Sequence, residues 1–265
     1  MQDLPEVDPQ RPSSARIYDY YLGGTHNFAA DRHAAAAALQ AMPELPAVLR
    51  LGRAFLRRAV AAAAAAGVDQ FLDLGAGIPA PGSVPEVARR IRPGARVVSV
   101  DLDPVAVLHT RRVHDGDPYA EVLLADLTDA EAVLTAEPVR RLLDLDRPVA
   151  VLAVAVAHFI PDAERLGRAL QTYREALAPG SHLAMSHACT DGEDPPHARK
   201  ILRIYNQSTS PMMMRQRDEF RSFFGDWPLL EPGVVMAGRW RPEPGAEDPG
   251  EIANNSLIAG MAVKP

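Results

Sequence analysis

Beyond residue 70 the chain alternates short apolar runs with amphipathic stretches. Gln70-Phe71-Leu72-Asp73-Leu74 has strand length and is broken by Gly75-Ala76-Gly77. Residues 96–100 end in Asp101, residues 121–125 lead into Asp126-Leu127, and residues 149–157 are apolar without a break. A further strand is predicted over 182–187, after the Pro179-Gly180 punctuation. Helical spacing is predicted from Ser83, as N-cap with Pro85 in the first turn, and over 105–113, 129–143 and 161–177. Next come an excursion over 190–210 with a helix at 196–205, a helix at 215–224, and strands near 234–240 and 256–263. Strands alternating with helices predict an α/β fold with a doubly wound, mostly parallel sheet. The unbroken run at 149–157 fits a central parallel strand, buried on both faces.

The region before residue 70 reads differently. Ser13 or Ser14 opens a helix that Gly23-Gly24 ends; a second covers 29–41 and stops at Pro43; a third covers 46–66, its buried side carrying Leu49, Phe55, Leu56 and Val60. Three regions are expected: a disordered or loosely draped tail over 1–12, a helical cap over 13–66 above the C-terminal edge of the sheet, and a sheet domain over 67–265. The Pro/Gly/acidic stretch 242–250 is expected at the surface.

Composition narrows the class. A 47% hydrophobic share in 265 residues supports a sizeable core. The net charge of −6, without a basic stripe, disfavours a nucleic-acid partner. The apolar run 59–67 is far too short to cross a membrane. Cys189 is the only cysteine, so no intrachain disulfide forms. The N-terminus lacks the basic and apolar regions of a signal peptide, and a cytoplasmic location is expected. No metal-ligating set is singled out, and nothing specifies an oligomeric state.

The chemistry centres on residues 70–104, which form a β-loop-α-β unit. Gly75 and Gly77 let the backbone approach a ligand, and Asp101, at the tip of the second strand, is placed for the two hydroxyls of a ribose. Gly75-Ala76-Gly77-Ile78-Pro79-Ala80 formally satisfies a dinucleotide fingerprint. Three features argue otherwise. Pro79, Pro81 and Gly82 hold the helix start away from the glycines, where it is poorly placed for a pyrophosphate. Asp73 brings negative charge to the ligand, suiting an ammonium better than a phosphate. Asp126 offers a carboxylate to an adenine amino group. Ribose, adenine and ammonium without phosphate describe S-adenosylmethionine.

Asp73-x-Gly75-x-Gly77, Asp101 and Asp126-Leu127 resemble the motif set of class I S-adenosylmethionine-dependent methyltransferases. The stretch Arg16-Ile17-Tyr18-Asp19-Tyr20-Tyr21-Leu22-Gly23-Gly24, with Asn27-Phe28 and Ala30-Asp31-Arg32, resembles the N-terminal signature of an uncharacterised bacterial S-adenosyl methyltransferase family. Pro148-Val149-Ala150, His158-Phe159 and Glu231-Pro232-Gly233-Val234-Val235 resemble it too, so the likeness runs from about Arg11 to Pro265. Ala76, Ser83, Pro85 and Leu102 depart from it, standing where Thr, Asn, His and Asn are expected. The resemblance implies a Rossmann-like fold with a seven-stranded sheet. It implies S-adenosyl-L-methionine as cofactor and a small-molecule methyl acceptor, with neither nucleic acid nor membrane as partner. Asp73, Gly75, Ala76 and Gly77 would hold the methionine end, Asp101 and Leu102 the ribose, and Asp126 and Leu127 the adenine. Arg16, Tyr20 and Asn27 would reach the pocket from the cap. Each has a plainer reading: the aromatic residues as cap packing, Asp126 as a helix cap, and Asp103 as a helix start.

Methyl transfer from a sulfonium needs alignment and dryness more than acid–base help. If the acceptor must lose a proton, His158 and then His187 are the candidate bases, since both follow strands at their C-terminal ends. Met212-Met213-Met214 reads as packing or as an adaptable apolar wall, and Cys189 as a small buried hydrophobe. Two rivals share the motifs: a non-catalytic protein that binds S-adenosylmethionine or its product, and a nicotinamide-dependent oxidoreductase, which Ala80 keeps open.

Overall fold

The computed structural model describes residues 5–189, 196–245 and 250–265. The first four residues of the expected tail, the opening of the excursion at 190–195, and 246–249 of the surface loop lie outside the described residues. In chain order the elements are α1 (Ser14–Tyr21), α2 (Ala29–Ala41), α3 (Leu45–Ala65), β1 (Gln70–Leu74), α4 (Val84–Ile91), β2 (Arg96–Asp101), α5 (Pro104–Val113) and β3 (Ala120–Leu124). They continue with α6 (Ala130–Thr135), α7 (Glu137–Leu142), β4 (Ala150–Ala153), α8 (Ala163–Ala176), β5 (His182–Ala188), α9 (Pro196–Tyr205), α10 (Arg217–Ser222), β6 (Val235–Met236), α11 (Glu251–Asn254) and β7 (Leu257–Val263).

The strands form one seven-stranded sheet in the order β3-β2-β1-β4-β5-β7-β6. The first five run parallel, and β7 runs antiparallel to both β5 and β6. Strand order reverses between β1 and β4, the switch point at which this kind of sheet opens a crevice. Side chains alternate between two cores. Phe71, Val97, Leu152 and Met261 pack with α1–α4, α9 and α11; Leu72, Leu74, Val100 and Val151 pack with α6–α8 and α10. Asp73 follows the parity of Phe71 and so faces α3.

Several boundaries differ from the sequence reading, each for a local reason. The apolar run 149–157 leaves the sheet after Ala153. Ala155 adopts φ +57, its N–H donates to Ser186 Oγ at 2.9 Å, and Ala157–Phe159 form a 3₁₀ turn. The segment 129–143 splits into α6 and α7 at Ala136, extended at ψ 144, with a proline in the first turn of α7. The expected strand 234–240 shortens to β6, followed by a 3₁₀ turn at Ala237–Arg239. The helix expected over 215–224 contracts to α10, and α11 was not anticipated. Residues 241–245 and 250 of the surface loop are exposed. Among the described residues no helix is long and apolar enough to cross a membrane.

The cap is tied down by buried charge. Asp31 in α2 is fully buried, and its carboxylate accepts from Ser13 N at 2.9 Å, Phe28 N at 2.7 Å and Arg16 Nε at 2.9 Å. Arg16, itself 3% exposed, also donates through Nη2 to Arg11 O at 2.6 Å and through Nη1 to Asp103 Oδ2 at 3.5 Å. Asp103 caps α5 by accepting from Val105 N, so this chain of charges joins α1 and α2 to the sheet domain. Removing one partner of a buried pair leaves the other charge uncompensated. Asp31→Ala is expected to lower unfolding stability by about 3–5 kcal/mol. Urea denaturation showing a loss under about 1 kcal/mol would contradict this reading of the anchor.

Candidate active site

The ends of β1, β2 and β4 meet at the switch point. Gly75, at φ +70, donates its N–H to Val100 O at 2.8 Å. A Cβ built on Gly75 would lie 2.2 Å from Val156 Cγ2, so only glycine lets the loops after β1 and β4 cross so closely. Gly77, at φ +69, turns its N–H to Asp101 Oδ2 at 2.7 Å and has open space where a Cβ would stand. Asp101 Oδ1 accepts from Asp103 N at 2.8 Å. Each of these oxygens retains a second lone pair for a ligand hydroxyl.

A cavity of about 470 Å³ opens above these strand tips. Asp73, Gly75, Ala76, Gly77, Asp101, Leu102, Asp126 and Leu127 all line it, as does Arg16. Asp126 there holds a turn, accepting from Thr128 N at 2.8 Å, and pairs with Arg165 Nη2 at 2.8 Å. Leu127 is buried, whereas Leu102 is 67% exposed at the mouth. Tail residues Glu6, Val7, Asp8 and Arg11 run along the same cavity. The structure does not bring Tyr20 and Asn27 to this lining. Tyr20 packs against the core on the cap side. Asn27 Nδ2 donates to Asp19 Oδ2 at 2.8 Å and to Gly24 O at 3.0 Å, closing the turn after α1.

Arg53 and Ala155 are among the lining residues that escaped the sequence reading. Arg53, on α3, faces the same space as Asp73, and its Nη2 reaches only the loop carbonyls of Ala80 and Pro81, at 3.4 and 3.3 Å. Its signal was helical phase: it lies three residues before Leu56, which lines the same cavity. Ala155, the left-handed residue after β4, had no signal, because strain at a non-glycine residue is a tertiary outcome.

A second cavity, of about 550 Å³, adjoins the first, and Ser14, Tyr18, Ala155 and Phe159 line both. His158 lines the second cavity, with Met212, Met214 and Cys189. Ala188 N donates to His158 Nδ1 at 3.4 Å, so Nδ1 is the ring's acceptor and Nε2 carries its hydrogen. Nε2 has no protein partner among the described residues. His187 is placed differently. It shares the parity of Leu183 and Met185 on the opposite sheet face, and lines neither cavity. Its Nδ1–H donates to Ala188 O at 2.6 Å, and its Nε2 accepts from Arg215 Nη1 at 2.8 Å. Both of its nitrogens are thus committed. Arg215, also missed in the sequence, is 2% exposed and holds the loop after β4 through Ile160 O at 2.8 Å and Pro161 O at 3.1 Å.

Burial sets the electrostatics. It pushes Asp73 up to about 7, with the nearby Arg53 opposing the shift and Asp101 adding to it. It pushes Asp101 up to about 6 against hydrogen bonds from the Asp103 and Gly77 backbone. It holds His187 down at about 4 and His158 well below the ordinary imidazole range, so both rings are neutral at pH 7. Asp73 is 9% exposed and accepts no hydrogen bond from the described residues. A nearly buried carboxylate with no donor, beside a cavity, fits an ammonium group, and the bared loop at Gly77 and the spare lone pairs of Asp101 fit a ribose.

The comparisons with known proteins agree with this chemistry. The family model described as S-adenosyl methyltransferase matches residues 1–265, and the chain belongs to that family. No curated protein matches. Among solved structures, a protein of Thermobifida fusca YX provisionally titled a methyltransferase superposes with a TM-score of 0.91 at 38% identity, over 96% of each chain. A DUF574 family protein of Streptomyces avermitilis MA-4680 superposes with a TM-score of 0.91 at 34% identity, over 98% of this chain and 100% of the other. The fold is that of a class I methyltransferase, the cofactor is S-adenosylmethionine, and the protein is an S-adenosylmethionine-dependent methyltransferase.

The raised carboxyls make a stability prediction. Between about pH 4 and 7 the folded, ligand-free protein holds protons on Asp73 and Asp101 that the unfolded chain has lost. The two groups therefore make stability fall as pH rises through that window, and the full penalty applies above pH 7. Asp73→Asn should be more stable than the parent at pH 8, by on the order of 1–3 kcal/mol, and nearly equal to it at pH 4. Urea titrations at both pH values check this; an Asn variant less stable at pH 8 would overturn it.

Proposed function

We propose that the protein transfers the methyl group of S-adenosylmethionine to a small-molecule acceptor held in the second cavity, with the cofactor in the first. The observation that carries this reading is the shared wall of Ser14, Tyr18, Ala155 and Phe159 between the two cavities. A module that only sensed the nucleoside would have no use for a second chamber against its binding site.

When bound, S-adenosylmethionine supplies an activated methyl on a sulfonium. The chain's own residues bind, orient and keep the site dry. Asp73 takes the ammonium and, in doing so, gives up the proton that burial favours. Arg53, across the same space, takes the carboxylate of the amino-acid moiety, so that the two side chains read a zwitterion. Asp101 accepts from the ribose hydroxyls, with Leu102 beside it. Asp126 and Leu127 bound the adenine edge. Arg16 contributes by holding the cap closed over the cavity through Asp31 and Asp103. Tyr20 and Asn27 act through the cap turn and not by contact. His158 presents Nε2–H to the acceptor cavity, so it orients an acceptor as a hydrogen-bond donor; a general base would need the other tautomer. His187 serves as the neutral acceptor that fixes Arg215.

Arg53 supplies a test that depends on ligand chemistry. Calorimetry of Arg53→Met should show affinity for S-adenosylhomocysteine weakened about 10- to 100-fold, the loss of a charge-assisted bond pair. Affinity for 5′-methylthioadenosine, which lacks the amino-acid end, should be unchanged. Equal losses for both ligands would place the carboxylate elsewhere. Methyl transfer itself is tested by S-adenosylhomocysteine release with uncharged aromatic acceptors; binding of S-adenosylmethionine with no release for any acceptor would favour a sensor.

A further inference from the structure

We propose, resting on the two-cavity reading above, that the acceptor is an uncharged, mainly apolar small molecule whose one obligatory polar feature is an oxygen that accepts from His158 Nε2. The walls of the second cavity come largely from outside the repeating strand–helix unit. Met42, Leu45 and Val48 reach it from the cap, and Ile201, Met212 and Met214 from the segment after β5. Its volume of about 550 Å³ lies within the range of pockets that enclose a ligand of drug size. Thioether side chains are adaptable and polarisable, which suits a rigid ring system more than a flexible polar chain.

Charge is the discriminating feature. Among the described lining residues there is no lysine or arginine to pair with an anion. The single described carboxylate of the lining, Glu251, is exposed at the mouth, leaving no buried anion among the described lining residues to receive a cation. Tyr18 and Tyr205 face the cavity, and burial raises both phenols to about 12, so they stay neutral. Tyr18 donates its hydroxyl to Leu49 O at 3.4 Å, and the Tyr205 hydroxyl lies beside that of Tyr21. A charged acceptor held deep in the cavity would therefore lose its water without gaining a buried charged partner among the described residues. His158 is the buried exception in the wall, beside the half-buried His197 and the exposed Asn255. His158 is 7% exposed, its Nδ1 is fixed by Ala188 N, and its Nε2–H has no protein partner among the described residues. A ligand that displaces water from this donor without accepting from it loses a hydrogen bond, so the cavity favours a ligand that accepts.

The test uses four biphenyl probes of nearly the same shape, titrated calorimetrically at pH 7.5 into protein saturated with S-adenosylhomocysteine. They are 4-hydroxybiphenyl, biphenyl, the 4-carboxylate and the 4-aminomethyl cation. The expected order places 4-hydroxybiphenyl at least tenfold tighter than either charged probe. His158→Phe, which keeps an aromatic ring, should weaken 4-hydroxybiphenyl three- to tenfold and leave biphenyl unchanged. Met212→Glu should weaken both neutral probes, placing them in this cavity. Binding of a charged probe as tight as the phenol, an equal effect of His158→Phe on both neutral probes, or binding of none of the four overturns the inference. Those results leave the proposed function standing if S-adenosylhomocysteine still binds; its failure to bind the unmodified protein would bring both down.

Discussion

A carboxylate at the tip of β1, nearly out of water and without a hydrogen-bond donor among the described residues, is the constraint on which the proposed site depends. Such a group is unfavourable in the folded chain unless something positive meets it. Asp73 lies on the sheet face that packs α3, and that helix brings Arg53 near enough to oppose the rise in its affinity for protons. The opposition is incomplete, since the carboxyl still titrates at about 7. The protein thus carries a deficit that a cationic ligand would remove. Stability given up at a binding site in this way is a recurrent trade in enzymes.

Keeping that carboxylate dry accounts for much of the surrounding architecture. The loops after β1 and β4 cross at Gly75 and Val156 with no room for a Cβ. The cap closes over them, fastened by Asp31, Arg16 and Asp103, whose mutual bonds satisfy the buried charges. Arg215 plays the corresponding part on the other face, donating to carbonyls of the loop after β4 and to a neutral His187. Between these two anchors Ala155 is held in a left-handed conformation, a strain that persists because its neighbours over-determine it. It stands in the wall common to both cavities, where a precise backbone position matters to both.

The proposed division of labour between the two cavities follows from where their walls originate. Strand tips, which every fold of this kind possesses, line the first. Cap helices and the segment after β5 supply most of the second. On that proposal, change in those appended segments would alter the acceptor without disturbing the nucleotide site. The departures at Ala76 and Leu102 fall in the first cavity, with Leu102 largely exposed at its mouth. Ser83 and Pro85 belong to the start of α4, outside the lining.

The alternating apolar runs, the glycine pair and the acidic strand ends were legible in the chain because each is a local property: strand parity, left-handed φ at glycine, and a carboxylate one residue past an apolar run. They specified the sheet, its switch point and the residues from Asp73 to Leu127 that share one cavity. Parity within residues 182–188 also contained the information that His187 faces away from Ala188; adjacency to a strand end alone did not use it. The end of β4, the nearness of Arg53 to Asp73, the tautomer of His158 and the placement of Tyr20 and Asn27 off the cavity were settled only by tertiary structure. For the first three the deciding partner is remote in sequence: Ser186 for Ala155, α3 for Asp73 and Ala188 for His158. For Tyr20 it is the packed cap, and for Asn27 a turn around a buried Asp19. A local pattern can say which face a residue takes and what charge it carries, but the group that meets it across the fold is chosen by packing.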